Sequence, residues 1–406
     1  MTVRVGINGF GRIGRNFFRA AKAQGADIDF VAVNDLGSLD QMAHLLQYDS
    51  VLGRFPDTVK VVKGGIKVGD DVLKVLSERN PGDLPWGELG VDVVIESTGF
   101  FNSRDAASAH LDAGAPLVIV SAPCSEADAT FVYGVNHKDF RISQHKVISN
   151  ASCTTNCIVP LVKVLDDAFG VDQGMITTIH AYTGTQNLID APHKDLRRAR
   201  AAAENLIPTS TGAAKATGKV LPHLLGKLDG MAVRVPLAAG SAADFVGMLK
   251  TEASIDEINE AFRMAASGPM AGILAFSDEP LVSSDIVGRP ESCIYDSGMT
   301  MAMGKMVKKC EPARDVCRVV IWKTDWCRAH AYGLCHSEGL TYEDFGHDDV
   351  LVTRRVMLPN PEFRKSQFLA PNYQFQIFIK TLFGRLTRIM DRHQKHTVVD
   401  HAASLQ

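Results

Sequence analysis

The run Ser149-Asn150-Ala151-Ser152-Cys153-Thr154-Thr155-Asn156-Cys157 sets a cysteine among hydroxyl side chains, and His180 follows 27 residues after Cys153. A thiol with an imidazole available to take a proton is suited to nucleophilic attack on a carbonyl carbon. Residues suited to phosphate oxygens come next: Thr183 in Thr183-Gly184-Thr185, Arg198 in the basic run from His193 to Arg200, Thr211 and Gly212 between Pro208 and Lys215, and Arg234 in Val233-Arg234-Val235-Pro236. Guanidinium forks, hydroxyls and glycine backbone N–H groups are good donors to such anions. Any one of them has an ordinary alternative as a solvated loop residue, a structural ion pair or a core histidine. Their succession after Cys153 favours chemistry.

Local elements must hold these groups. Lys146-Val147-Ile148-Ser149 predicts a strand ending at Asn150, and a helical pattern opens near Ser152 or Cys153. A first-turn cysteine lies at the positive end of the helix dipole, which favours the thiolate. Pro160, about two turns in, predicts a kink or interruption. Cys157, one turn beyond Cys153 on the same face, reads as a buried helix cysteine rather than a second nucleophile. His180 closes a β-branched run from Met175, a strand pattern.

The N-terminal half reads as a dinucleotide site. Val3 to Asn8 is a buried-strand pattern, followed by Gly9-Phe10-Gly11-Arg12-Ile13-Gly14 and a helical pattern that stops near Gly25. A second strand pattern, Phe30 to Asn34, ends at Asp35, 21 residues after Gly14. Gly9 permits the tight turn, Gly11 lets backbone approach a pyrophosphate, and Gly14 lets the helix pack on the strand. The helix N-terminus offers free N–H groups to the phosphates. Asp35 can accept from ribose hydroxyls, and its charge opposes a 2′-phosphate, so NAD is favoured over NADP. Apolar runs at Val91 to Glu96 and Pro116 to Val120 read as further buried parallel strands. They end in Ser97, Thr98 and Ser121, which are placed to line the crevice beyond the strand ends.

Composition sets outer bounds. At 406 residues, two domains are the default. A formal net charge of −3 gives no electrostatic argument for nucleic acid. No basic leader opens the chain and no apolar run approaches a bilayer span, so a cytoplasmic protein without a signal peptide is expected. Cys124, Cys153, Cys157 and Cys293 are scattered, as in a reduced enzyme, whereas Cys310, Cys317, Cys327 and Cys335 crowd the last quarter. The spacing of those four lacks the close pair usual in structural zinc sites, and no metal is expected. Residues 309–406 hold 14 Lys and Arg against 11 Asp and Glu, so the charge balance reverses there.

With these motifs in hand, the chain resembles the phosphorylating glyceraldehyde-3-phosphate dehydrogenase family over residues 1 to about 308. The resemblance is carried by Ile7 to Arg15, Ser149 to Cys157, His180-Ala181-Tyr182-Thr183-Gly184, Asp195 to Ala203, Ile207 to Ala216 and Arg234-Val235-Pro236. It implies an α/β fold: a Rossmann domain over 1–150 and an α+β catalytic domain with a mostly antiparallel sheet over 151–308. It implies NAD-dependent oxidation and phosphorylation of glyceraldehyde 3-phosphate. Cys153 would form a thiohemiacetal and then a thioester, and His180 would pair with the thiolate and take the hydroxyl proton. The oxyanion would lie near the Cys153 N–H and His180. Thr183 and Arg234 would hold the substrate phosphate. Ser152, Thr154, Arg198, Thr211 and Gly212 would hold inorganic phosphate. Gly9, Gly11, Arg12, Ile13, Gly14, Asp35, Arg79 and Ser121 would contact the cofactor. A homotetramer is implied, with the loop from about 183 to 205 at its interface.

Some features depart from the family. Ala191-Pro192 mixes the NAD-type and NADP-type patterns, leaving NADP open. After Lys308 the family's strand with its nicotinamide-holding Asn is not recognisable, and residues 309–406 form an atypical tail with no fold assigned. Cys317-Arg318-Val319-Val320 echoes the start of the family's last helix, and Phe375 to Ile389 has helical spacing with basic residues interleaved. Two other functions are therefore carried: erythrose-4-phosphate dehydrogenase, and a catalytically impaired member acting as a binding protein.

Overall fold

The computed structural model describes residues 2–303 and 315–323. Cys310, Cys327, Cys335, the Phe375 to Ile389 pattern and the place of the family's Asn lie outside the described residues.

The N-terminal sheet has nine strands, in the order Ala129–Thr130, Val147–Ser149, Val118–Val120, Val93–Glu96, Val3–Asn8, Ile28–Asn34, Asp71–Leu76, Gly65–Val68 and Val59–Val62. The first seven pair in parallel, and the last two add an antiparallel edge. The central parallel strands Val3–Asn8, Val93–Glu96 and Val118–Val120 are mostly apolar and buried because both faces are covered. The helix Arg12–Ala23 buries Phe17, Phe18, Ala20 and Ala21 against this sheet. The expected strands at 3–8, 30–34, 91–96, 116–120 and 146–149 all occur, trimmed or extended by one to two residues.

The C-terminal sheet has seven strands, in the order Ile207–Ser210, Leu228–Val235, Val171–Ala181, Ser241–Leu249, Asp315–Lys323, Cys293–Met303 and Leu274–Ser277. Four of its six pairings are antiparallel. One face packs under the helix Cys153–Phe169, whose Cys157, Ile158, Leu161, Val162 and Leu165 meet Phe245, Tyr295, Val319 and Ile321. That helix runs unbroken through Pro160, so the expected interruption is absent. Tertiary packing overrides the local penalty, since every residue from Cys153 to Leu161 is buried.

The strand Asp315–Lys323 corrects two sequence expectations. The catalytic domain does not stop at 308, because this segment fills an internal position of its sheet. It pairs over nine residues with Ser241–Leu249, from Ser241↔Lys323 to Leu249↔Asp315. Cys317 to Val320 is also strand, not the start of a helix. The pattern is a period of two: Cys317, Val319, Ile321 and Lys323 are buried, while Arg318 is exposed and donates to both Asp244 carboxylate oxygens at 2.9 and 3.0 Å.

Candidate active site

Each chemical group sits at the end of an element. The strand Val147–Ser149 delivers the chain to a turn in which Ala151 has a φ of 58°, a left-handed conformation uncommon outside glycine. Hydrogen bonds hold that turn: the Ala151 N–H donates to Ser149 Oγ, and Asn156 Nδ2 donates to the carbonyls of Asn150 and Ser152. Ser152 is the N-cap, its Oγ accepting from the Thr155 N–H at 3.1 Å, and Cys153 is the first helical residue. The sulfur therefore sits where the dipole is positive. Thr154 Oγ1 lies 4.0 Å from it.

His180 lies near the end of the strand Val171–Ala181, and its Nε2 is 3.4 Å from Cys153 Sγ. Its Nδ1 lies 2.6 Å from the Ala181 carbonyl oxygen and 3.0 Å from Arg234 Nη1, so the ring is held at that edge while Nε2 faces the sulfur. Burial first, then the charges of Lys323 and Arg234, push its pKa down to about 2. The imidazole is therefore neutral. Cys157 is buried one turn deeper, where desolvation pushes its thiol up to about 12. It is inert, as its helical position suggested.

Two guanidinium groups approach the same centre. Arg234 pairs in register with His180 across neighbouring strands, and its Nη1 reaches Ala181 O at 3.1 Å and Thr183 Oγ1 at 3.5 Å. Its Nε is buried with no hydrogen-bond partner among the described residues, an open donor. Arg198 Nε donates to Thr209 Oγ1 at 3.0 Å, and that hydroxyl donates to Asp195 Oδ2 at 2.7 Å. Thr209 and Asp195 orient Arg198, and neither was singled out in the sequence. Thr211 Oγ1 accepts from the Ala213 N–H, and Gly212 caps the helix Ala213–Val220 with open space where a Cβ would stand. Thus Cys153, His180, Thr183 and Arg234 converge directly. Ser152 is engaged as a helix cap.

Lys323 was missed altogether. It is 2% exposed, and its Nζ lies 2.8 Å from His180 Nε2 and 3.3 Å from Cys153 Sγ. No local signal marks it except a lysine at an inward position of an alternating apolar run.

The crevice beyond the parallel strands fits a dinucleotide. Gly9 has a φ of +91°, and a Cβ there would fall 2.6 Å from the Thr98 nitrogen. A Cβ on Gly14 would meet the Gly9 carbonyl at 2.3 Å, whereas Gly11 faces open space and caps the helix without a side chain. Helix N–H groups near Arg12 and Ile13 are thus left for a phosphate. Asp35 accepts from the N–H groups of Phe10 and Gly37, which ties the acidic residue to the glycine turn. Arg12 reaches Asp49 at 3.0 Å, and Arg79 is exposed just past the strand Asp71–Leu76. Ser121 is buried, donating to Glu96 O and Ser97 Oγ.

Beneath the crevice lies a polar chain that the sequence did not reveal. Buried Glu96 accepts from Asn8 Nδ2 at 2.6 Å, His110 Nε2 at 3.0 Å and the Thr98 N–H at 2.7 Å. Trp86 Nε1 donates to His110 Nδ1 at 2.9 Å, which fixes the His110 proton on Nε2. Asn34 Nδ2 donates to Asn8 Oδ1, extending the chain to the adjacent strand. This network locks the ends of three parallel strands where the cofactor would rest.

Comparison with known proteins agrees with this geometry. Residues 3–104 match the family description "Glyceraldehyde 3-phosphate dehydrogenase, NAD binding domain", and residues 152–324 match "Glyceraldehyde 3-phosphate dehydrogenase, C-terminal domain". The second match takes in the strand Asp315–Lys323. The chain is 59% identical over 308 residues to glyceraldehyde-3-phosphate dehydrogenase 2 of Streptomyces arenae, covering 76% of this chain and 92% of that protein. It is 58% identical over 310 residues to glyceraldehyde-3-phosphate dehydrogenase of Streptomyces coelicolor and over 314 residues to that of Mycobacterium avium, with the same shares covered. A Rossmann-type cofactor domain, a cysteine and histidine in contact, and this degree of identity together establish that the chain belongs to the glyceraldehyde-3-phosphate dehydrogenase family.

Proposed function

We propose that this chain is an NAD-dependent, phosphorylating glyceraldehyde-3-phosphate dehydrogenase in which Cys153 is the nucleophile and His180 the base. The observation that carries this is the 3.4 Å contact between Cys153 Sγ and a buried, neutral His180 in a chain 59% identical to a named relative. The Cys153 thiol gives its proton to His180 as the sulfur attacks the aldehyde carbon; the C–S bond forms, the carbonyl π bond opens to an oxyanion, and the oxyanion takes that proton back to give the thiohemiacetal. His180 Nε2 accepts the hydroxyl proton as the carbonyl reforms. NAD, when bound, supplies the hydride acceptor that turns the thiohemiacetal into a thioester. Inorganic phosphate then attacks the thioester carbonyl, the C–S bond breaks, and Cys153 leaves as thiolate with the acyl phosphate released.

The unpartnered Arg234 Nε, with Thr183 beside it, supports a site for the substrate phosphate. Arg198, Thr211, Gly212, Ser152 and Thr154 would serve the attacking phosphate. Gly9, Gly11, Arg12, Ile13, Gly14, Asp35, Arg79 and Ser121 would hold NAD. The relatives' names do not favour the erythrose-4-phosphate or binding-protein readings. A homotetramer is supported by the apolar outer face of the catalytic sheet, where Met175, Met231, Val246, Met301 and Met303 are exposed. A cytoplasmic location is consistent with the family. No helix among the described residues is long and apolar enough to cross a membrane.

The test is NAD reduction by glyceraldehyde 3-phosphate with full-length protein, with and without inorganic phosphate. Phosphate-dependent turnover supports the proposal. Its absence in folded protein that still binds NAD would refute it.

A further inference from the structure

Arg198 is held by a short chain of hydrogen bonds whose direction is fixed. Its Nε donates to Thr209 Oγ1 at 3.0 Å, and that hydroxyl lies 2.7 Å from Asp195 Oδ2. A guanidinium can only donate, a carboxylate can only accept, and a hydroxyl has one proton to give. The Thr209 proton therefore goes to Asp195, and a Thr209 lone pair takes the Arg198 N–H. Thr209 is buried, and its hydrogen bond is the first cause holding the Asp195 carboxyl below the usual carboxylate range. Asp195 Oδ1 is used separately, accepting from the Arg197 N–H at 3.0 Å within its own turn.

The sheet aims this chain at the reacting centre. Thr209 stands opposite Ala232 on the neighbouring strand, and Ala232 stands opposite Thr178 on the next. Directly opposed residues share a face, and so do residues two apart along a strand. Thr209 thus lies on the face that carries Arg234 and His180. The charge of Arg198 is felt at both of those residues, where it adds to the larger effect of burial in lowering their pKa values. The Arg198 side chain is one-fifth exposed, at 20%, so a solvent ion can reach it. Its Nε is occupied, and its two terminal nitrogens make no hydrogen bond among the described residues. They are a free pair of donors suited to phosphate oxygens.

We infer that Thr209 and Asp195 are positioning residues that aim Arg198 at inorganic phosphate, and so decide how well the acyl-enzyme uses phosphate as its acceptor. The inference rests on the dehydrogenase reading above and deepens it. In the step concerned, a phosphate oxygen bonds to the thioester carbon, the C–S bond breaks, and its electron pair leaves with the Cys153 sulfur. Neither positioning residue touches the reacting atoms. They hold one orientation of a long side chain that would otherwise lose rotamer freedom on binding the anion. Thr183 and Arg234 stand outside this hydrogen-bonded chain, so the two anion sites respond separately to its loss.

The test is steady-state and rapid-mixing kinetics on full-length protein. Thr209→Val keeps the branched shape and removes the hydroxyl. It should raise KM for inorganic phosphate by about tenfold or more, the weight of a hydrogen bond to a charged group. KM for glyceraldehyde 3-phosphate and for NAD should not change. Nor should the burst of NADH from the first turnover without phosphate, because acylation precedes the phosphate step. Thr209→Ser returns the hydroxyl and should return the phosphate KM. Asp195→Asn should share the phosphate defect, and the same comparison in that variant decides the matter should Thr209→Val fail to fold. An unchanged phosphate KM in folded Thr209→Val overturns the inference. So does an equal rise in KM for glyceraldehyde 3-phosphate, the result of a general loosening of the site, and so does a defect that Thr209→Ser leaves unrepaired. The dehydrogenase reading fails differently: unmodified protein would give no NADH burst at all, and the inference would fall with it.

Discussion

His180 has its two ring edges committed to different tasks, with Nδ1 tied to Ala181 O and Nε2 turned to the sulfur and the amine. Replacing it by Asn should lower kcat by about 10²–10⁴-fold, the usual worth of a positioned base, while Cys153 remains open to alkylation. Its depressed pKa also bears on stability. Between the unfolded value near 6.5 and the folded value of about 2, the unfolded chain binds a proton that the folded chain does not. Stability is therefore unaffected by this group above pH 6.5 and falls as pH drops below it, by at most about 1.4 kcal/mol per pH unit. His180→Asn should flatten that acid-side decline in urea midpoints measured from pH 7 to pH 4, and an equally steep decline would contradict the assignment. At the cofactor end, Asp35→Ala should narrow the preference for NAD over NADP, read as the ratio of the two kcat/KM values. The same change loosens the Gly9-Phe10 turn, whose Phe10 N–H it leaves without its acceptor.

Among the elements, the strand Asp315–Lys323 has the most to decide. It stands between Ser241–Leu249 and Cys293–Met303, which without it would lose their pairing partner. Its two faces make opposite predictions. Ile321→Ala removes a fully buried side chain and should destabilise by about 2–5 kcal/mol. Arg318→Ala removes a half-exposed cross-strand ion pair and should cost only about 0.2–1 kcal/mol. Equal effects of the two in urea unfolding would mean that the strand does not alternate in this register. The glycine-turn end depends instead on the Glu96 network. Glu96→Ala leaves Asn8, His110 and the Thr98 N–H without their acceptor. It should weaken NAD binding and lower the thermal midpoint together, since one carboxylate holds three strand ends.

At the level of the whole molecule, the two sheets divide the labour. The parallel sheet presents strand ends and a helix N-terminus to the cofactor, and the second sheet sets the nucleophile's helix across its inner face. The outer face of that second sheet is left with Met175 opposite Val246, and Arg318 opposite Met301. Leu188 and Leu196 in the loop after His180 are more than four-fifths exposed. Apolar area of this kind on a monomer marks an association surface. Light scattering on the purified protein should give a tetramer, and Met175→Lys with Val246→Lys should shift it to smaller species. A monomer from the unsubstituted chain would exclude the assembly.

Sequence alone determined the parts of this protein whose signals are local. The strand, glycine turn, helix and acid from Val3 to Asp35 fall within one folding unit, and each residue type answers to the conformation of its own position. The cysteine's place at a helix start was likewise legible in the hydroxyls around it, and the inertness of Cys157 followed from helical spacing. Only the tertiary structure decided what depends on pairing between distant segments. It brought His180 to Cys153 across 27 residues and Lys323 to the same sulfur across 170. It kept the helix continuous through Pro160, because burial outweighed local preference. The strand Asp315–Lys323 was illegible because its partners, Ser241–Leu249 and Cys293–Met303, lie elsewhere in the chain and strand register is set by those partners, not by the nine residues themselves. A buried lysine in an apolar run reads as an exception until the fold reveals the thiol that it faces.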